Sequence, residues 1–143
     1  MSDHPFVHRR LVTWADTDTA QIAYTVRILD FAMDAVEAWW EETIGLSWYA
    51  MVVERGLGGP WVHFDADISA PLTPRHSLES AVFVEKVGRS SLSFRVEGTR
   101  SDGVASFVAH LTTVFVDRQA WRPISIPDEF LEPITSYRRS VGS

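Results

Sequence analysis

Cysteine is absent from the sequence. That excludes disulfides, thiolate zinc sites, iron–sulfur clusters and a cysteine nucleophile together, and it fits a reducing compartment. An excess of positive charge is missing too: Lys and Arg number 13 against 19 Asp and Glu, a formal net charge of −6. Sequence-independent binding to nucleic acid needs a cationic surface that displaces counterions, so no nucleic-acid partner is expected. An anionic ligand has to be held by a local group of arginines. No apolar stretch approaches the roughly 20 residues that span a bilayer, so no membrane partner is expected either. The first ten residues include Asp3, Pro5 and two histidines, without the basic start and apolar run of a signal peptide. The expectation is a soluble, cytoplasmic protein. Two catalytic signatures are also lacking. There is no Gly-x-Ser-x-Gly elbow for a serine hydrolase, and Gly56 to Gly59 fits neither standard phosphate-binding glycine loop.

What is present is an ordinary globular composition. The 143 residues are 45% hydrophobic and 12% aromatic, enough for one domain over residues 1–143 and too apolar for a disordered chain. Val7 to Asp16 reads as a first strand, rich in β-branched and aromatic residues. From about Val26 to Glu42 the pattern is helical. Leu29, Met33, Val36 and Trp40 recur every three or four residues, and Phe31, Ala32, Ala35 and Trp39 widen that stripe to most of the circumference. A helix apolar nearly all round is surrounded by protein. Gly45 followed by Leu46 supplies its stop, and a short helix over Ser47 to Glu54 follows.

The period then changes to two. Val62, Phe64, Ala66, Ile68 and Ala70 alternate with polar residues, the mark of a half-buried strand. Leu78 to Val87 and the run around Leu92, Phe94 and Val96 are the next strands. Ser101-Asp102-Gly103 marks a tight turn. Val104 to Asp117 is a long fifth strand without a breaker, and a short final helix is expected over Asp128 to Glu132. A strand, one long apolar helix and four further strands on short turns describe an α+β, hot-dog arrangement: an antiparallel five-stranded sheet wrapped around one central helix. Apolar residues on both faces of the fifth strand point to further burial by a partner subunit.

Asp16-Thr17-Asp18-Thr19 lies between the first strand and the buried helix. Such residues cap helix starts by accepting hydrogen bonds from free N–H groups. The same place can carry chemistry. A helix N-terminus offers unpaired donors and the positive end of a dipole, which polarise a carbonyl, and a nearby carboxylate can attack that carbonyl or activate a water. A thioester suits such a site because its carbonyl is electrophilic and its thiolate leaves readily. Calcium does not fit, since the places of the third oxygen ligand, glycine and distal glutamate hold Ala20, Gln21 and Arg27.

The run Trp14-Ala15-Asp16-Thr17-Asp18-Thr19-Ala20-Gln21-Ile22-Ala23-Tyr24 resembles the Asp-x-Asp-x-Ala-Gly-Ile/Val-x-Tyr signature of hot-dog acyl-CoA thioesterases. Together with Trp48 and Val52-Val53-Glu54-Arg55-Gly56, it is most similar to the branch of 4-hydroxybenzoyl-CoA thioesterases whose catalytic acid is an aspartate. The resemblance covers roughly residues 8 to 130. It implies hydrolysis of an aromatic acyl-CoA to free acid and CoA, without metal or other cofactor. It assigns Asp18 as nucleophile or general base and the backbone N–H of Thr25 as the oxyanion donor. Substrate contacts fall to Tyr24 and Trp48, with Arg89 on the nucleotide phosphates; Gln21, where the family has glycine, narrows the site or places its amide beside the thioester as a further substrate contact. It further implies a homodimer paired into a homotetramer, with residues of the second chain completing each pocket. Three features depart from the family pattern: its glycine is Gln21 here, its usual Asn or Ser near the helix start is Arg27, and its basic turn is thinner, with Gly88, Arg89, Ser90 and Ser91. Gln21 and Arg27 keep a second reading open, a protein that binds acyl-CoA or an aromatic acid without hydrolysing it. A hot-dog hydratase or dehydratase wants a histidine at the helix start, and none lies between Arg9 and Val62.

Several residues carry plainer readings. Arg75 and His76 stand where they could join Arg89. Trp39, Trp40 and Trp121 read as core or interface aromatics, and His110 as a buried histidine with satisfied hydrogen bonds. His63, Asp65 and Asp67 share one strand face, which fits a wet face or a subunit interface better than a metal site.

Overall fold

The computed structural model describes residues 3–142. Five antiparallel strands form the main sheet: β1 (Phe6–Leu11), β3 (Trp61–Ile68), β4 (Ser77–Val87), β5 (Ser91–Arg100) and β6 (Ala105–Val114), in the spatial order β1-β4-β5-β6-β3. The helix α1 (Arg27–Ile44) packs on the inner face, as a hot-dog fold requires. Its Ile28, Phe31, Ala32, Ala35, Val36, Trp39 and Trp40 are buried, meeting Leu78, Val82, Val84, Leu92, Phe94, Val96 and Leu111 from the sheet. Spacings of three and four along α1 and of two along the strands bring these two faces together. The helix ends where the sequence places its stop: Gly45 adopts φ 81° and donates its N–H to the Glu41 carbonyl at 2.9 Å. Only glycine takes that left-handed conformation without steric cost.

Three expectations need correction. The first strand ends at Leu11, and Trp14–Asp16 form a 3-10 turn capped by Thr13 rather than continuing the strand. The breaker-free run to Asp117 leaves the sheet at Val114. Phe115 turns fully into the core, and its N–H donates to the Ser90 carbonyl. The chain then continues as β7 (Val116–Asp117) between β2 (Leu57–Gly58) and β8 (Arg122–Pro123), a separate three-stranded sheet. Burial of one phenylalanine thus redirects a strand that propensity would have extended.

The final helix, α2, runs from Asp128 to Val141 despite Pro133. Packing overrides the proline. Phe130 and Ile134 are buried, and the Tyr137 hydroxyl donates to the Val82 carbonyl at 2.6 Å while accepting the Phe6 N–H at 2.8 Å. Tertiary contacts of this kind supply most of a short helix's stability.

The edge strand β3 is left uncovered. Phe64, Ala66 and Ile68 stand opposite Leu111, Ala109 and Phe107 of β6, and directly paired residues point to the same face. The β6 residues are buried beneath α1, yet Phe64 is 37% and Ile68 48% exposed. The same inner face is therefore closed over β6 and open over β3.

Candidate functional site

The two carboxylates of the Asp16–Asp18 motif have different surroundings. Asp16 is buried and committed to structure. Its Oδ2 accepts the Thr13 N–H at 2.9 Å, the Thr13 hydroxyl at 3.1 Å and an Arg10 guanidinium N–H at 3.0 Å. Asp16 is the third residue of the 3-10 turn, so this is one half of a capping box closing that turn, not a cap on the start of α1. Asp18 is exposed. Its Oδ1 accepts the Ala20 N–H at 2.9 Å, and its Oδ2 has no partner among the described residues. The loop is fixed around it. The Asp18 N–H donates to the Ile22 carbonyl, the Gln21 N–H to the Asp18 carbonyl, the Ala23 N–H to Leu72 and the Tyr24 N–H to Asp16. A carboxylate with one free oxygen on a tethered loop can attack a carbonyl or take a proton from water.

The start of α1 supplies the donors. Arg27, Ile28 and Leu29 donate their N–H groups to the carbonyls of Tyr24, Thr25 and Val26. The N–H groups of Thr25 and Val26 have no acceptor among the described residues. They lie at the positive end of an 18-residue helix, where an oxyanion is stabilised. Tyr24 and Thr25 are exposed beside them.

The departures at Gln21 and Arg27 are accommodated locally. Gln21 holds φ 65°, the left-handed region that glycine occupies at low cost. Arg27 turns back on the protein, 3.0 Å from Asp30 and 3.9 Å from Asp16. Replacing Gln21 by glycine should relieve the left-handed strain, raising stability by about 1 kcal/mol and Tm by a few degrees. Thermal unfolding checks this; a lower Tm would mean that the Gln21 side chain holds the loop.

Trp48 and Arg89 lie at the other end of the molecule. Trp48 stacks on Trp61 (5.7 Å, 18°) and meets Trp40 edge-on at 5.1 Å. Gly59 lets it approach: a Cβ there would fall 2.6 Å from the indole. Arg89 is exposed in the β4–β5 turn, whose carbonyls bind the Ile126 and Phe115 N–H groups. The Asp18 loop instead docks on Leu72, ahead of β4. The 11 residues of β4 separate the two ends by about 36 Å, and the 18 residues of α1 by about 27 Å. A single chain therefore brings Asp18, Gln21, Tyr24 and Thr25 together and leaves Trp48 and Arg89 apart from them.

Two grooves reflect this division. One of about 590 Å³ is lined by Trp14, Ala20, Gln21, Thr73, Pro74, Arg75 and His76, beside the Asp18 loop. Arg75 and His76 thus stand at the Asp18 end and do not join Arg89. The other, about 920 Å³, follows α1 on its β1 side to Trp48 and carries Asp34, Glu37 and Glu41. Burial, then the neighbouring Asp34, pushes the Glu37 carboxyl above its usual range. Three carboxylates make that groove a poor seat for a polyphosphate.

The remaining polar cluster is on the outer sheet face. Asp65 joins His63 (2.7 Å) and His110 (2.9 Å); His110 approaches Glu85 at 3.6 Å, and Arg95 links Glu85 to Glu97. Hydrogen bonds from His63 first, and then from His110, lower the Asp65 pKa. His110 is half-buried in this network, not enclosed in the core as expected. Among the described residues no group of three or more such side chains is arranged to hold a metal ion. Trp39 and Trp40 are fully buried, as expected, whereas Trp121 is 61% exposed. Sequence reasoning passed over the arginines that flank it, Arg118 and Arg122, although basic residues beside an exposed aromatic are a recognisable signal.

Known proteins agree with this architecture. A solved structure described as thioesterase superfamily, from Jannaschia sp. CCS1, is 37% identical, covers 94% of each chain and superposes with a TM-score of 0.88. A 1,4-dihydroxy-2-naphthoyl-CoA thioesterase from Synechocystis shares the fold at 21% identity, covering 91% of this chain and 95% of its own (TM-score 0.84). So does a protein from Staphylococcus aureus solved in complex with CoA, at 15% identity, covering 100% and 89% (TM-score 0.90). No curated protein matches the sequence. No helix among the described residues is long and apolar enough to cross a membrane. The profile of the Thioesterase-like superfamily matches residues 12–134, and the chain belongs to that superfamily.

Proposed function

We propose that the protein hydrolyses an aromatic acyl-CoA thioester, of the 4-hydroxybenzoyl-CoA kind, to free acid and CoA. The observation that carries this reading is the pairing of one unpartnered Asp18 oxygen with the unpartnered N–H groups of Thr25 and Val26, on one short loop. The thioester oxygen takes the Thr25 N–H. Asp18 attacks the carbonyl carbon, or removes a proton from the water that does. The C–S bond breaks, CoA leaves as thiolate and takes up a proton, and water supplies the oxygen of the product acid. The fold is shared with proteins named as 1,4-dihydroxy-2-naphthoyl-CoA and gentisyl-CoA thioesterases, both acting on aromatic acyl groups.

The active unit is a homodimer formed through β3, paired further into a tetramer. The open inner face of β3 calls for a second copy. A two-fold axis through antiparallel β3 strands sets Trp61 of one protomer against Ile68 of the other. Ile68 lies four residues before Leu72, on which the Asp18 loop docks. The Trp48 and Arg89 end of one protomer thereby meets the Asp18 end of its partner. Trp48 supports the acyl group and Arg89 holds phosphate, both across the interface. Gln21 and Tyr24 line the thioester from the Asp18 side.

Thiol release from benzoyl, hydroxybenzoyl, phenylacetyl and straight-chain CoA thioesters tests this. Aryl members should turn over fastest. Hydrolysis of straight chains alone would remove the aromatic pocket. Tight binding with no thiol release would replace hydrolysis by binding.

A further inference from the structure

The arginines of this acidic chain are not spread evenly in their engagements. Arg9, Arg10, Arg27, Arg55, Arg95 and Arg100 each bind a carboxylate. Arg118 and Arg122, like Arg75, Arg89, Arg138 and Arg139, bind none among the described residues; the Arg118 guanidinium reaches only the Val52 carbonyl, at 3.4 Å. Both belong to the β7–β8 hairpin, where Asp117 pairs with Arg122. Between them stands Trp121, 61% exposed and held at φ 54°. Asp117 forms no ion pair with either arginine among the described residues; its Oδ1 accepts the Gln119 and Ala120 N–H groups.

The hairpin is fastened to the turn that carries Arg89. Ile124 donates to Phe115, Phe115 to Ser90 and Ile126 to Arg89. Arg122 is four residues from Ile126, a span of at most about 14 Å. Three uncommitted guanidiniums and an exposed indole therefore share one end of the molecule. Beside them runs a groove lined by Arg55, Gly56, Arg118 and Gln119 together with Glu54 and Asp117.

Guanidiniums recognise phosphate oxygens through paired N–H donors. An exposed indole offers a stacking face to a nucleobase. A left-handed backbone at a bulky residue is strain of the sort that functional sites retain. We propose that the β7–β8 hairpin is a nucleotide-recognition element: Trp121 stacks on the adenine of CoA, and Arg118 and Arg122 hold its phosphates together with Arg89. The inference rests on the CoA thioesterase reading. It extends the anion site from one turn residue to a hairpin that presents its ligand to the partner's Asp18.

The test has two arms. In the first, adenosine 3′,5′-bisphosphate is titrated calorimetrically into wild type, Trp121→Ala, Arg118→Ala and Arg122→Ala. Wild-type binding should weaken about tenfold or more in each variant, and Trp121→Phe should restore it. In the second, each protein is given the CoA thioester and the pantetheine thioester of one acyl group. KM for the CoA thioester should rise about tenfold, kcat should hold, and the pantetheine thioester should show less than a twofold change. Nucleotide binding that is absent or equal in all variants, or equal losses on both thioesters, would overturn the hairpin's role. Nucleotide binding lost in the variants without any thiol release would keep the hairpin site and overturn the hydrolase reading instead.

Discussion

Replacing Asp18 by asparagine is expected to lower kcat about 10³-fold, the scale of losing a catalytic acid or base, with little change in Tm. The effect on rate should be large because Asp18 carries the free carboxylate oxygen beside the α1 N-terminus. The effect on stability should be small because Asp18 is exposed and forms no ion pair among the described residues. Its one side-chain hydrogen bond, from the Ala20 N–H, is within its own loop, and an asparagine oxygen can accept it too. Asp16→Asn should behave in the opposite sense. That carboxylate is buried and accepts charge-assisted hydrogen bonds from Arg10 as well as from Thr13, so weakening them should lower Tm. Thiol release and thermal unfolding on both variants separate the roles. A normal rate in Asp18→Asn would remove Asp18 from the chemistry.

The second large effect concerns β3. Phe64→Asp should yield a monomer that is well folded and inactive. Phe64 lies on the inner face yet is not covered by α1, so a carboxylate there stays hydrated in an isolated chain. Within a dimer the same carboxylate would be buried without a partner, a cost of several kcal/mol that exceeds what a modest interface supplies. Sedimentation velocity beside activity checks this. A Phe64→Asp protein that stays dimeric would move the interface away from β3, and an active monomer would show that one chain holds a complete site.

Much of the fold was legible in periodicity. The apolar circumference of α1 and the Gly45 stop are local signals that the tertiary structure reinforces. The alternation from Val62 to Ile68 marks β3 as a strand, but its apolar face is largely exposed rather than half-buried, and its register breaks at Val62. The failures came where long-range contacts decided. Nothing local marks the departure of the chain from the sheet at Phe115; burial of that ring and its bond to Ser90 determine it. The final helix, expected to stop at Glu132, continues through Pro133 to Val141, held by the Tyr137 hydroxyl, which is anchored on β4 and β1.

The candidate site divides in the same way. The Asp18 loop was readable because its residues are neighbours in sequence. The distance of Trp48 and Arg89 from that loop was not, since it follows from the lengths of α1 and β4 and from the strand at the open edge. Asp16 and Asp18, alike in sequence, part company only through Arg10 and Thr13. Of the two places open to Trp121, core or interface, the tight β7–β8 hairpin excludes the core by turning the ring outward.

Two protomer ends join in one site, and co-expression of two variant chains measures it. Asp18→Asn and Trp48→Ala, each carrying a different tag, are produced together and the mixed dimers are purified. Each homodimer should be impaired, Trp48→Ala by more than tenfold if the indole anchors the acyl group. In a mixed dimer one site combines the intact Asp18 of one chain with the intact Trp48 of the other. The mixed dimer should recover about half of the wild-type rate, the share of one intact site in two. A mixed dimer no faster than the mean of its two parents would contradict it, placing Asp18 and Trp48 in the same chain's site or Trp48 outside the site altogether.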